Sequence, residues 1–353
     1  MTVKKSIRAF AILALLAACN KGGNKPAPGQ PTDPPATTSH FVKGADISWV
    51  TEMEAAGKKF YNHSGTATDC FSLLQSLGFN SIRLRVWVKP ADGYNNIADV
   101  LAKAKRAQAL GMRLLIDFHY SDTWADPSHQ EKPADWAALS FIELKAALAA
   151  HTKEVLQQLK TAGITVQWVQ VGNETNDGLL WPDGQASKNM AGYAALISAG
   201  YDAVKAVYAA AKVLVHVSDA WNNELFRWNI GGLTDNAAKF DAIGMSVYPS
   251  YAPSGWAAAN TSVLANMNDM VTRYDKDVMI VEAGMPWDQA DDCKAFLTDL
   301  IDKTKSVSGN RGLGVLYWEP ECYGGWKGYT LGAFDNSGKP TAALDAFKNQ
   351  PTP

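Results

Sequence analysis

The chain has 353 residues, 47% of them hydrophobic and 19% charged, with a formal net charge of −2. That balance provides for one large core and excludes a disordered chain, a basic nucleic-acid footprint and electrostatic capture of a charged polymer. A neutral partner fits better: the aromatic share is 10%, with 12 Trp, and indole faces edged by polar groups suit the C–H faces of sugars as well as core packing.

The first elements in chain order are not part of a core. Lys4, Lys5 and Arg8 precede an apolar stretch from Ala9 to Ala18, too short to cross a bilayer as a helix and built like an export signal. Leu16-Ala17-Ala18-Cys19 resembles the bacterial lipobox. The expectation is a signal peptide over 1–18, a lipidated Cys19, and an exported lipoprotein at the outer membrane or cell surface, with a periplasmic-facing anchor as the variant. Ordinary secretion after cleavage at Ala18 is the alternative. Residues 20–40 hold five Pro and three Gly, a semi-extended tether to a catalytic body over 41–353. Membrane contact is expected only through the lipid, and a monomer is expected.

Cys70, Cys293 and Cys322 remain, so an oxidising compartment allows at most one intramolecular disulfide, and Cys293–Cys322 is the candidate pair. No metal-ligand spacing joins them, and neither metal nor cofactor is expected.

Eight apolar, β-branched runs follow: Gly44–Trp49, Ser81–Trp87, Arg113–Tyr120, Val166–Glu174, Lys212–Asp219, Ala242–Tyr248, Asp277–Gly284 and Gly314–Pro320. Helix-like segments lie between them. The clearest is Asn96–Leu110, where Ile97, Val100, Leu101, Ala104 and Ala107 share one face and Lys103 and Arg106 lie off it. Eightfold alternation implies parallel strands closed into a single-domain α/β (β/α)8 TIM barrel. A doubly wound sheet is the runner-up, but GADISWV after the tether is not a glycine-rich phosphate loop.

Strand parity then sorts the side chains. Ile82, Leu84 and Val86 suit the helix-facing side, which turns Arg83, Arg85 and Trp87 inward, and the same logic turns Asp46, Asp117, Glu174 and Glu282 inward. Buried guanidinium groups need carboxylates nearby. Arg83, the deeper of the two, is read as part of a stabilising ion cluster, and Arg85, nearer the rim, as the orienter of a catalytic carboxylate.

Glu174 and Glu282 stand at the ends of the fourth and seventh runs, hence at one barrel mouth. Glycoside cleavage with retention needs one protonated and one ionised carboxyl about 5 Å apart. Asn173, beside Glu174, suits a sugar 2-hydroxyl, and Tyr248 is the hydroxyl expected on Glu282. Asp46, Trp87, His119, His216 and Trp318 complete the expected sugar-binding set. Trp124, Trp221, Trp287 and Trp326 fall on loops where groove walls would be, some of them for packing only.

The segments GADISW, SIRLRVW, LLIDFHYSDTWADP, WVQVGNET, VHVSDAW, VEAGMPW and GVLYWEPE resemble, in this order, glycoside hydrolase family 53, the endo-β-1,4-galactanases. The likeness runs from about Lys43 to Asp345. It implies hydrolysis of internal bonds in β-1,4-galactan, arabinogalactan or pectin side chains, with galacto-oligosaccharides as products, Glu174 as acid/base and Glu282 as nucleophile. It also implies ligand or orienting roles for Arg85, His119, Asn173, Tyr248 and Trp318, and a cis Trp318–Glu319 peptide. Some bacterial members bind calcium after the eighth strand, but Glu321–Asp335 is short and poor in acidic ligands. Two alternatives stand beside this reading: another barrel glycosidase acting on β-mannan, β-glucan or terminal β-galactosides, and a surface lipoprotein that binds glycan without cutting it.

Overall fold

The computed structural model describes residues 41–348, so the export signal, the lipidated Cys19 and the tether lie outside the described residues. Eight strands form the barrel: β1 (Val42–Asp46), β2 (Ser81–Val86), β3 (Arg113–Phe118), β4 (Trp168–Val171), β5 (Lys212–Val217), β6 (Ala242–Val247), β7 (Asp277–Ala283) and β8 (Gly312–Trp318). Each pairs in parallel with its neighbours, and β8 closes on β1. The expected (β/α)8 barrel is the observed architecture. A short two-stranded ribbon, Gly178–Leu179 with Gly184–Gln185, was not expected from the sequence.

Helices cover the outside because the outward parity of each strand is apolar. Ile82, Leu84 and Val86 pack into the continuous layer between barrel and helices. The inward parity makes a separate plug, with Leu115, Leu214, Met279, Val281 and Leu316 closing the barrel below the polar layer. Helix starts follow local chemistry. Ser140 and Glu143 form a reciprocal capping box on the helix Phe141–Thr161, and the Asn96 side chain caps the helix Ile97–Ala109 by accepting from the Asp99 N–H.

Lys103 lies off the apolar face of the helix Ile97–Ala109, as its spacing predicts, yet it does not reach solvent. It is fully buried, with Nζ donating to Ser48 O at 2.7 Å, Asp99 Oδ2 at 2.7 Å and Asn95 Oδ1 at 3.1 Å. Burial lowers its pKa, and the Asp99 contact opposes that shift.

The expected disulfide is absent. Cys70, Cys293 and Cys322 are free and buried. Cys293 sits on the helix Ala290–Lys305, with Sγ 3.7 Å from the Tyr317 hydroxyl, while the Cys322 thiol faces Met53 Sδ at 4.0 Å. The expected cis peptide at Trp318–Glu319 is also absent; among the described residues the cis bond lies at Trp181–Pro182, and Glu319 takes φ +48°.

Candidate active site

Two local departures from regular strand geometry aim the key carboxyl groups. On β7, Met279 and Val281 both point into the barrel, so simple alternation would send Glu282 outward. A register shift between β6 and β7 pairs Met245 with Ile280 and then Ser246 with Glu282. The extra residue re-aims Glu282 inward. After β4 the chain leaves its ladder at Gly172, φ +83°, where a Cβ would lie 2.6 Å from Thr175 Cγ2. Glu174 itself adopts φ +43°, and both Asn173 and Glu174 then face the same cleft. Tyr120, Asp219 and Glu319, just past β3, β5 and β8, also hold positive φ, so unusual backbone gathers at the carboxyl-terminal rim.

The cleft there, of about 790 Å3, is lined by His119, Trp124, Asn173, Glu174, Tyr248, Glu282 and Trp318 of the expected set, and Trp221 also lies on its wall. Asp46, Arg85, Trp87 and His216 do not line it. These four are buried behind the wall. Trp287 and Trp326 likewise fall outside the lining, whereas Trp49, Ser246, Lys327 and Tyr329, unforeseen in the sequence, are part of it.

Arg83 sits in the ion cluster expected of it and also takes the orienting role expected of Arg85. Arg83 Nη1 contacts Glu282 Oε1 at 2.9 Å and Asp46 Oδ2 at 2.8 Å, and its Nη2 reaches Asp117 Oδ2 at 2.9 Å and Asn173 Oδ1 at 2.8 Å. The deeper arginine is therefore the orienter. Arg85 instead pairs with Glu319, a buried residue off the cleft. Tyr248 donates to Glu282 Oε2 at 2.8 Å, as expected.

Glu174 has a different environment. Among the described residues no cation contacts its carboxyl; Ser246 donates to Oε1 at 2.7 Å. The His216 Nε2, 2.7 Å from Ser246 Oγ, completes that chain as the N–H partner. Burial first, and then Arg83 and His119, push the His216 pKa far below its ordinary value, so the ring is neutral and adds no positive charge. Gln170 bridges the layer, donating to Asp117 Oδ1 at 2.6 Å and Asn173 Oδ1 at 2.9 Å. The Asn173 amide is held from its other end by the Ala125 carbonyl at 2.8 Å.

Electrostatics follow from this inventory. Four carboxyl groups, Asp46, Asp117, Glu174 and Glu282, cluster about one guanidinium, and the member without a cation contact is the natural holder of a proton. Burial and the Glu282 charge push the Glu174 carboxyl up to about 8. Burial also raises Glu282, to about 7, while Arg83 and the Tyr248 hydroxyl hold it below its partner. The two titrate as a pair, with the proton residing on Glu174. Strand parity would have found Ser246, which shares its face of β6 with Tyr248; Gln170 and Asp117 are inward by the same rule.

Among the described residues one group, Glu319, Glu321 and Cys322, brings potential metal donors together. Both Glu319 oxygens are already engaged, one by Arg85 and the other by the Trp49 N–H at 3.2 Å. Burial and the Glu319 charge raise the Glu321 pKa strongly, which suits a shared proton better than a cation.

A closed barrel with a protonated and an ionised carboxyl group at its carboxyl-terminal mouth belongs to the class of barrel enzymes that cleave glycosidic bonds. Residues 42–347 match the family model of glycosyl hydrolase family 53, and the chain belongs to that family. It is 35% identical over 301 residues to an arabinogalactan endo-β-1,4-galactanase of Thermothelomyces thermophilus, covering 79% of this chain and 89% of the relative. A Humicola insolens protein of the same description is 34% identical over 299 residues, covering 79% and 89%. A solved fungal β-1,4-galactanase superposes with a TM-score of 0.81 at 32% identity, covering 87% of this chain and 98% of that one.

Proposed function

We propose that this protein hydrolyses internal β-1,4-galactosidic bonds of galactan and arabinogalactan with retention, Glu282 acting as nucleophile and Glu174 as acid/base. The observation that carries the mechanism is the unequal company of the two carboxyls on one cleft: Glu282 has Arg83 and Tyr248 against its two oxygens, Glu174 a single hydroxyl. An ionised Glu282 attacks the anomeric carbon while Glu174 delivers its proton to the departing oxygen. Glu174 then takes a proton from the water that releases the sugar. Asn173 is placed to hold the 2-hydroxyl, an interaction that strengthens as charge develops on the ring. His119, Trp124, Tyr248 and Trp318 supply the remaining sugar contacts. The substrate assignment draws on the galactanase relatives and the family.

Proton NMR of a galactan digest tests both halves. The expected result is a fall in chain length with β-anomers appearing first; α-anomers first would overturn the double displacement, and undigested galactan would overturn the substrate.

The charged start, the apolar stretch and Leu16-Ala17-Ala18-Cys19 support a chain tethered by lipid on Cys19, expected to work as a monomer without nucleic-acid partners. Labelled fatty acid should enter the wild type; a Cys19→Ala chain that still took up label would refute it.

A further inference from the structure

Arg85 is a buried guanidinium that the proton chemistry does not use. Its exposure is 1%, its ion-pair partner is Glu319, and its Nε and Nη2 have no hydrogen-bond partner among the described residues. Burying such donors unpaired is unfavourable unless something else meets them. Here four indoles do. The guanidinium carbon lies 4.5 Å from the ring centroid of Trp124, 5.1 Å from Trp49, 5.4 Å from Trp87 and 5.9 Å from Trp318. A desolvated cation is attracted to the negative faces of such rings.

These rings also meet one another. Trp49 approaches Trp124 at 5.5 Å and Trp318 at 5.2 Å, and Trp87 approaches Trp124 at 5.2 Å. Three of the four, Trp49, Trp124 and Trp318, line the cleft; Trp87 stands behind them, its Nε1 hydrogen-bonded to His119 Nδ1 at 3.2 Å. A single planar cation thus touches four indoles of one aromatic cluster, three of which line the cleft.

We propose that Arg85, held by Glu319, is a positioning residue that sets the indole floor of the cleft and through it the affinity for galactan, independently of the Glu174–Glu282 chemistry. The inference rests on the glycosidase reading for its substrate and on the ring geometry for its mechanism. A flat guanidinium presents faces and edges to several rings at once, which neither an aliphatic side chain nor the point charge of a lysine reproduces.

The test compares wild type, Arg85→Met and Arg85→Lys by near-ultraviolet circular dichroism, by kinetics on linear β-1,4-galactan and by the pH dependence of kcat. For Arg85→Met we expect the indole bands to lose about half their amplitude and KM to rise about tenfold, with kcat changed less than about threefold and both pH limbs unmoved. Arg85→Lys, which keeps the charge and carries the test if the Met variant does not fold, should recover only part of the dichroism, with KM raised about threefold. A shifted pH limb, or a fall in kcat at unchanged KM, would place Arg85 with the carboxylates and overturn the proposal. Wild-type dichroism and KM in either variant would reduce it to filler. Should the wild type leave galactan intact, the substrate reading fails alone, and the dichroism still judges the ring-positioning role.

Discussion

Arg83 and Arg85 stand on the same strand, both inward and both buried, yet the first meets carboxylates from β1, β3 and β7 while the second meets indoles. Depth makes the difference. At the level of Arg83 the barrel wall is made of strands, whose inward positions carry Asp46, Asp117 and Glu282. One turn of the pleat higher, Arg85 reaches the end of β8 and the segments leaving β1 and β2, which bring Trp318, Trp49 and Trp87, with Glu319 just beyond β8. The same cation therefore sets protonation states in one place and ring positions in the other, because its company, not its charge, defines its task.

The largest expected effect breaks the carboxylate side of that comparison. Glu282→Gln keeps shape and loses the nucleophile, so kcat on galactan should fall by about 10^4-fold or more while calorimetry still detects oligosaccharide binding; near-normal turnover would end the assignment. Arg83→Met comes next. It strands three buried carboxyl groups without their cation, and denaturant titration should show a loss of roughly 3–5 kcal/mol. Its residual activity should have its acidic limb moved to higher pH, since Glu282 loses the contact that favours its charge. An unchanged stability would show that the cluster does not depend on this guanidinium.

Glu174→Gln sharpens the contrast through pH. The folded chain holds the Glu174 proton up to about 8, whereas an unfolded chain releases it near the ordinary glutamate value. The stability linked to that proton is complete below the unfolded value and is lost as pH rises through the folded one. Wild-type Tm should therefore decline from about pH 5 to about pH 9, and the Gln variant, which cannot ionise there, should follow a flatter line; parallel lines in calorimetry would contradict the shared-proton arrangement. The smallest effect belongs to Ser246→Ala. Removing the hydroxyl that favours the charged form of Glu174 should move the alkaline limb upward by less than about one pH unit, with a modest fall in kcat. A downward shift would mean that the hydroxyl instead favours the protonated form.

Much of this was legible because parallel strands buried on both faces read as apolar runs, and eight of them are hard to mistake. Their ends were less legible. Val166–Glu174 was expected as one strand, but β4 stops at Val171 because Gly172 turns left-handed. Lys103 lies off the apolar helix face, and sequence spacing does not reveal that Ser48 and Asn95 wait beside it. The disulfide and the cis Trp318–Glu319 bond failed for a related reason: proximity on neighbouring loops and family likeness do not set the direction of a thiol or the path of one peptide. Arg85 was correctly turned inward and wrongly partnered, because parity ranks depth without naming what converges there.

By itself the sequence determined the eight barrel strands, the barrel they must close into, and the rim to which Glu174 and Glu282 belong, since all three follow from periodicities local to each segment. Tertiary structure decided which carboxyl stands against a cation, which arginine serves it, and that a register shift on β7 turns Glu282 toward the cleft at all. Those outcomes depend on contacts between strands far apart in the chain, and the energy of a charge is set by its neighbours in space.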